Sequence, residues 1–104
     1  MPLSRDFKEV MQARVQHDTA YRKALLQQAI QCLLEGEVDA AKSVIRVYIN
    51  ATIGFETLGE LTGKSPKSLM RMFSSQGNPS VNNLFEALVH LQNETDVQLE
   101  VHAA

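Results

Sequence analysis

The amino-acid sequence predicts an all-α protein, a bundle of five to six helices that ends in a short β-strand. The chain has 104 residues, of which 44% are hydrophobic and 21% are charged, and this composition is typical of one globular domain. Only five glycines and three prolines interrupt it, which favours long helices over a many-stranded sandwich. We expect one compact domain made of a helical extension at 1–36, a core at 37–92 and a tail at 93–104.

Two helices are predicted in the N-terminal extension. The first covers 5–16 and places four apolar residues about one turn apart: Phe7, Val10, Met11 and Val15. Asp18 is the predicted N-cap of a second helix from Thr19 to Leu34, which Gly36 ends. The expected core stripe of this helix, or one shifted by a residue, is Tyr21, Leu25, Ala29, Cys32 and Leu33.

A third helix is predicted from Val38 to Ala51. Its apolar stripe consists of Val38, Ala41, Ile45, Tyr48 and Ile49. The residues expected to face solvent are Lys42, Ser43 and Arg46.

Three more helical segments are predicted in the second half of the chain. Two short ones cover 55–62 and 66–74, and the turn Gly77-Asn78-Pro79 follows them. Ser80 caps the last helix, which continues to about Leu91. Its expected inward-facing residues are Val81, Leu84, Phe85, Leu88 and Leu91.

The tail has a different period. Apolar Val97, Leu99 and Val101 alternate with polar residues over 96–102, which is typical of a half-buried strand. A single strand is not stable alone, and the rest of the chain offers no partner for it. The expected pairing partner is therefore a second copy of the chain or a different protein. Fraying of the terminus is the alternative.

Segment 55–74 has the residue spacing of a helix-turn-helix. Two short helices that meet steeply through a tight turn need Gly in the turn and a small residue where the second helix crosses the first. Gly63 and Gly59 occupy these positions. The apolar residues expected to point into the core are Leu58, Leu61, Leu69 and Met72. Ser65-Pro66 is a start signal for the second helix.

The second helix of such a motif lies in the major groove of DNA. When its apolar residues are buried, Arg71 can contact a guanine edge, and Lys64 and Lys67 can contact phosphates or bases. The Ser65 hydroxyl and the free amides at the helix start suit a phosphate oxygen. The candidate DNA-binding residues are Lys64, Ser65, Lys67, Ser68, Met70, Arg71 and Ser74.

Charge distribution distinguishes this interpretation from an ordinary helical hairpin with a solvated basic face. The whole chain has a net charge of −2. Within 63–91, however, Lys64, Lys67 and Arg71 are accompanied by one acid, Glu86, whereas 92–104 contains three acids and no Lys or Arg. Because positive charge is concentrated beside the turn, the sequence favours a nucleic-acid partner.

Other chemistry has little support in the sequence. Cys32 is the only cysteine, so no intrachain disulfide can form, and its apolar neighbours predict a buried residue, not a reactive thiol. His17, His90 and His102 have no ligand partners at metal-binding spacing. We expect no enzyme activity, cofactor or metal. No apolar run approaches the ~18 residues of a membrane span, and no signal peptide is recognisable, so we expect a cytoplasmic protein without a membrane partner.

Four segments together carry a family pattern: LEGE at 34–37, GFETLGELTGKS at 54–65, KSLMRMF at 67–73 and GNPS at 77–80. The combination of Ser68-Leu69-x-Arg71 with Gly77-Asn78-Pro79 is the most specific part. From Leu34 onward, about two thirds of the chain resembles the helix-turn-helix antidote proteins, or antitoxins, of bacterial toxin–antitoxin modules. These are relatives of the phage-repressor-like regulators.

The resemblance implies a dimeric transcriptional regulator with a repressor-like fold. Such a protein binds double-stranded DNA at its own operator, represses its own operon and neutralises a small ribonuclease-type toxin. The groove-facing positions that it implies are Ser65, Lys67, Met70, Arg71 and Ser74. Phe55 stands where relatives often have a phosphate-contacting Gln. Two alternatives remain: a protein-interaction module that neutralises a partner without functional DNA binding, and a regulator without a toxin partner.

Overall fold

The computed structural model describes the backbone of residues 5–104 and the side chains of residues 9–104 apart from Met11. Six helices occupy this part of the chain: α1 Arg5–His17, α2 Thr19–Leu34, α3 Val38–Ala51, α4 Gly54–Thr62, α5 Pro66–Met72 and α6 Val81–Glu94. The all-α class and the order of the helices are confirmed. Each helix begins within one residue of its predicted start and ends within three residues of its predicted end.

The helices α1, α2 and α3 pack on one another, and α4 joins this layer to α5 and α6. Local signals in the sequence set their ends. The Asp18 carboxylate accepts a hydrogen bond from the Tyr21 amide at 3.1 Å and so caps α2. Gly36 follows α2 with a φ of 80°, a left-handed conformation that glycine adopts without steric cost.

The core lies among α2, α3, α4, α5 and α6. Its largest fully buried side chains are Tyr48, Phe73, Leu26, Ile45, Ile49, Leu58, Leu69 and Leu91. On α2 the two buried residues are Ala29, which belongs to the expected stripe, and Leu26, which belongs to the stripe shifted by one residue, while Leu25 is half-buried. Cys32 is half-buried, not fully buried as predicted.

On α1, α3 and α6, four apolar residues predicted to face the core are exposed instead: Val10, Val38, Val81 and Phe85. Helical spacing identifies an apolar stripe, but it does not show how far the neighbouring helices cover that stripe. The predicted core positions Phe7 and Met11 have side chains outside the described residues.

The predicted β-strand in the tail is not confirmed, since residues 5–104 contain no strand. The tail instead folds back on α6: the Val97 amide donates to the Gln92 carbonyl at 3.1 Å, and the Leu99 amide donates to the Gln92 side chain at 2.9 Å. Val97 is buried and Leu99 is half-buried, whereas Val101 is exposed. The apolar alternation of the tail therefore reflects contact with the core, not a ladder within one chain.

A chain of buried hydroxyl groups ties α3 to the C-terminal end of α6. The Thr95 hydroxyl donates to the Leu91 carbonyl at 2.6 Å. The Tyr48 hydroxyl lies 2.6 Å from the Thr95 hydroxyl oxygen. Because a hydroxyl group has one proton, Tyr48 is the donor in this second bond.

The Tyr48 hydroxyl predicts a dependence of stability on alkaline pH. Burial raises the pKa of this group above its ordinary value of 10.0, against the opposing effect of the Arg22 charge. The folded protein therefore holds the proton more tightly than the unfolded chain does. Its contribution to the free energy of unfolding is complete below about pH 10 and falls as the pH rises above that value.

We expect Tyr48→Phe to lower the free energy of unfolding by about 1 kcal/mol near neutral pH, because one buried hydrogen bond is lost. Above about pH 10 the difference between the variant and the wild type should shrink, because the variant has no phenol to ionise. Urea unfolding of both proteins over this pH range measures the effect. A constant difference at all pH values would contradict it.

Candidate nucleic-acid interface

The turn between α4 and α5 depends on two glycines. Gly63 has a φ of 73°, and its amide donates to the Gly59 carbonyl at 2.8 Å. The Lys64 amide reaches the same carbonyl at 3.2 Å, which closes the end of α4. A Cβ atom on Gly59 would lie 2.6 Å from the Lys64 carbonyl oxygen. The predicted roles of Gly63 in the turn and of Gly59 as the small crossing residue are confirmed.

Helix α5 begins with the predicted signals. The Ser65 hydroxyl accepts a hydrogen bond from the Ser68 amide at 3.1 Å, and Pro66 occupies the first position of the helix. Leu69 and Phe73 are buried beneath it. Residues 66–72 are therefore held by a cap at one end and by an apolar face below.

The apolar predictions for α4 and α5 are confirmed in part. Leu58 and Leu69 lie in the core, and Met72 is half-buried against it. Leu61 was expected to point inward but is exposed. The reason is that α4 buries the stripe of Phe55, Leu58 and Gly59, and Leu61 lies beside this stripe. Phe55 is part of the core and offers no polar group at the start of α4.

The candidate residues of α5 lie on its outer surface. Lys67, Ser68, Met70 and Arg71 are all exposed, as predicted. Lys67 and Arg71 are four residues apart and so occupy one face of the helix, with Met70 beside them. Ser74 is half-buried, and its hydroxyl donates to the Arg71 carbonyl at 2.7 Å. Its side chain is thus engaged with the backbone at the end of α5.

Lys64 has an acidic neighbour that the sequence did not place beside it. The Lys64 ammonium nitrogen lies 3.7 Å from a carboxylate oxygen of Glu86 on α6. Glu86 is the one acid in segment 63–91. The positive charge of Lys64 is therefore partly balanced, whereas Lys67 and Arg71 face solvent.

Two basic residues of α3 hold the end of α5 in place. Lys42 and Arg46 were predicted to face solvent, and for Lys42 this was wrong, because only 4% of its surface is exposed. The Lys42 ammonium donates to the Gly77 carbonyl at 2.8 Å, and it also lies 3.2 Å from the Asp39 carboxylate. Arg46 is half-buried and donates to the Phe73 carbonyl at 2.7 Å.

The Arg46 contact satisfies the carbonyl of Phe73, the C-cap residue of α5, and places positive charge at the negative end of the α5 dipole. The Lys42 contact satisfies a carbonyl in the loop that follows α5. This role could not be predicted from the residue types, because Lys and Arg on a helix are ordinarily solvated. The signal in the sequence was the position of Lys42 and Arg46, which are one turn apart and lie directly beside the apolar stripe that runs from Ala41 to Ile49.

Gly77 allows the loop after α5 to fold back tightly. A Cβ atom at this position would lie 2.0 Å from the Arg71 carbonyl oxygen and 2.6 Å from the Met72 carbonyl oxygen. The Gly77 amide donates to the Ser74 carbonyl at 3.1 Å. Gly77, Lys42 and Arg46 together fix the exit of α5, and thereby the orientation of its basic face.

Among the described residues, no three His, Cys, Asp or Glu side chains are close enough to hold a metal ion. Within the same part of the chain, no helix combines the length and apolarity needed to cross a membrane.

The described part of the chain is thus all-helical, and its α5 exposes two basic residues, Lys67 and Arg71, on the outer surface. Comparisons of the chain with family models, with curated proteins and with solved structures find no match.

Proposed function

We propose that the protein is a cytoplasmic, sequence-specific DNA-binding transcriptional regulator, the antitoxin of a toxin–antitoxin module that represses its own operon. The observation that carries the proposal is the outer face of α5. Lys67 and Arg71 are exposed there next to Met70, on a helix whose two ends are fixed by the protein itself. In this proposal α4 and α5 are a repressor-like helix-turn-helix.

Helix α5 would lie in the major groove of duplex DNA. A guanidinium group can donate two hydrogen bonds to guanine, and an apolar side chain can contact the methyl group of thymine. These are the roles of Arg71 and Met70, while Lys67 contacts phosphate. The hydrogen bonds at both ends of α5 support this function, because base contacts require the side chains to be held in register with the groove.

One chain offers few cationic contacts, too few for tight binding at physiological salt. A homodimer doubles them and reads two half-sites one helical turn apart. The proposal therefore includes a dimer that binds a nearly palindromic operator. Its antitoxin part rests on the sequence resemblance from Leu34 onward.

The direct test is fluorescence anisotropy with a duplex taken from upstream of the gene, with a scrambled duplex of equal length as the control. We expect preferential binding to the upstream duplex and a logarithmic salt dependence that corresponds to several phosphate contacts. Equal binding to both duplexes, or no binding to either, would overturn the DNA-binding function.

The same assay tests the antitoxin function when the product of the neighbouring gene is added. A toxin partner should bind the protein and change its affinity for the operator. Binding of that product by a protein with no DNA affinity would instead support the alternative of a protein-interaction module.

The contact between Lys64 and Glu86 predicts a gain of affinity. Glu86→Gln removes the carboxylate that lies 3.7 Å from the Lys64 ammonium and also removes a negative charge close to the DNA. We expect operator affinity to rise about two- to fivefold at low salt, with the gain lost at high salt.

The matched control is Glu94→Gln, an exposed acid near the other end of α6. This change should leave operator affinity nearly unchanged. An equal gain from both variants would show that only the net charge of the chain matters and that Lys64 does not contact DNA.

A further inference from the structure

An apolar groove lies on α2 and α6. It has a volume of about 400 Å³ and is bounded by the C-terminal half of α2, the middle of α6 and the tail from Leu99 to His102. Leu34, Phe85, Val89 and Val101 all contribute to its walls. The groove is thus formed by three separated parts of the chain that the fold brings together.

The side chains around this groove are unusually exposed for apolar residues. The exposed fractions are 73% for Leu34, 48% for Phe85, 49% for Val89 and 88% for Val101, and Val81, one turn before Phe85, is 71% exposed. Together they present on the order of 500 Å² of apolar surface, which is at the upper end for a monomer. A standard interface buries about 800 Å² per partner, so this patch with its polar rim is large enough for a dimer.

The tail contributes an unpaired edge to the same surface. Within the described chain the amides of Val97 and Leu99 are bound to Gln92. From Glu100 onward, the described backbone makes no hydrogen bond of its own. Backbone amides and carbonyls without partners can pair with a segment of another chain.

We propose that a second copy of this chain covers the groove, with the two tails antiparallel about a two-fold axis at Val101. Directly opposite residues in such a pair belong to the same face of the ladder. This register places Val101 against Val101 of the second copy and Glu100 against His102 of the second copy. Apolar groups then meet apolar groups, and a carboxylate meets an imidazole.

Other registers fit less well. An axis at Glu100 would place two carboxylates opposite each other, which is destabilising. An axis at Leu99 would need the Val97 and Leu99 amides for hydrogen bonds between the two copies, but both amides already donate to Gln92. Glu100 and His102 lie 3.2 Å apart within one chain, so in the proposed register the two copies form a compact group of two carboxylates and two imidazoles.

The proposed function includes a homodimer, and this inference rests on that dimer and identifies its contact surface. It does not depend on DNA binding. Sedimentation equilibrium of the full chain without DNA tests the dimer alone. We expect a dimer for the wild type, and a monomer at all concentrations would overturn the interface. Failure of operator binding would not affect this result.

Two substitutions locate the interface. Phe85→Glu places a charge on the groove wall at an exposed position, and we expect the dimer dissociation constant to rise at least about tenfold. Val10→Glu makes the same change at an exposed position on α1, outside the groove, and should leave the constant unchanged. Circular dichroism establishes that both variants are folded. An undiminished dimer for Phe85→Glu would overturn the assignment of this face.

A cysteine pair tests the register in a Cys32→Ser background. Val101→Cys should give a disulfide-linked dimer on mild oxidation, because the two opposite Cα atoms lie within bridging distance. Gln98→Cys should not, because the two cysteines would be separated by ~20 Å along the paired tails. Efficient crosslinking at Gln98→Cys without crosslinking at Val101→Cys would overturn the proposed axis.

Discussion

Gly77→Ala is expected to lower the free energy of unfolding by about 3 kcal/mol. A Cβ atom on Gly77 would lie 2.0 Å from one backbone carbonyl oxygen and 2.6 Å from another, both at the end of α5. Neither oxygen is the end of a flexible side chain, so the loop or the helix end must move. Such a movement also pulls the Gly77 carbonyl away from the Lys42 ammonium, which is buried and holds it at 2.8 Å.

Urea unfolding measured by circular dichroism checks this result, and Gly36→Ala is the matched control. Gly36 has a φ of 80° but no atom within 4 Å of the added Cβ. Alanine there should cost only about 1–2 kcal/mol, the strain of a left-handed residue. If Gly77→Ala is no more destabilising than Gly36→Ala, the loop after α5 is not packed as described.

Arg71→Ala is expected to weaken operator binding by about 1–3 kcal/mol and to relax the preference for one base pair in each half-site. The guanidinium group is exposed near the end of α5, and its loss should leave the fold intact. Fluorescence anisotropy on the operator and on duplexes with single base changes measures both effects.

Two control variants separate charge from base recognition. Lys23→Ala removes one positive charge from an exposed position on α2, and operator affinity should change little. Arg71→Lys keeps the charge but loses the two parallel donors of the guanidinium. It should retain most of the salt dependence and lose the base preference. Unaltered operator binding by Arg71→Ala would show that α5 does not contact the groove through this residue.

Gly77→Ala and Arg71→Ala test two different properties of the same site. Gly77 and the cations of α3 determine the orientation of α5, whereas Arg71 supplies a side chain on α5 that is proposed to contact a base. We therefore expect Gly77→Ala to reduce both stability and DNA affinity. Arg71→Ala should reduce affinity alone.

Much of the fold could be predicted from the sequence because the signals that set helix ends are local. Asp18, Ser65 and Ser80 each cap the helix that follows them through a hydrogen bond to an amide three residues later. Gly63 ends α4 because the turn requires a left-handed residue. These interactions span a few residues, so residue types at fixed spacing are sufficient to identify them.

The surface of α5 could be predicted for a similar reason. Once Leu69 and Phe73 are placed inside, the helical period leaves Lys67, Met70 and Arg71 outside. The helical period shows which residues of α5 are exposed, but it does not show what they bind. DNA binding is therefore a proposal with its own test.

The sequence by itself thus determined the six helices, most of their bounds and the exposed residues of α5. The tertiary structure alone decided that Lys42 is buried at the end of α5, that Glu86 lies beside Lys64, and that Val81 and Phe85 remain uncovered. The physical reason is distance along the chain. Lys42 and Gly77 are 35 residues apart, and no local pattern specifies which carbonyl a distant cation will reach or which apolar stripe its neighbours will leave open.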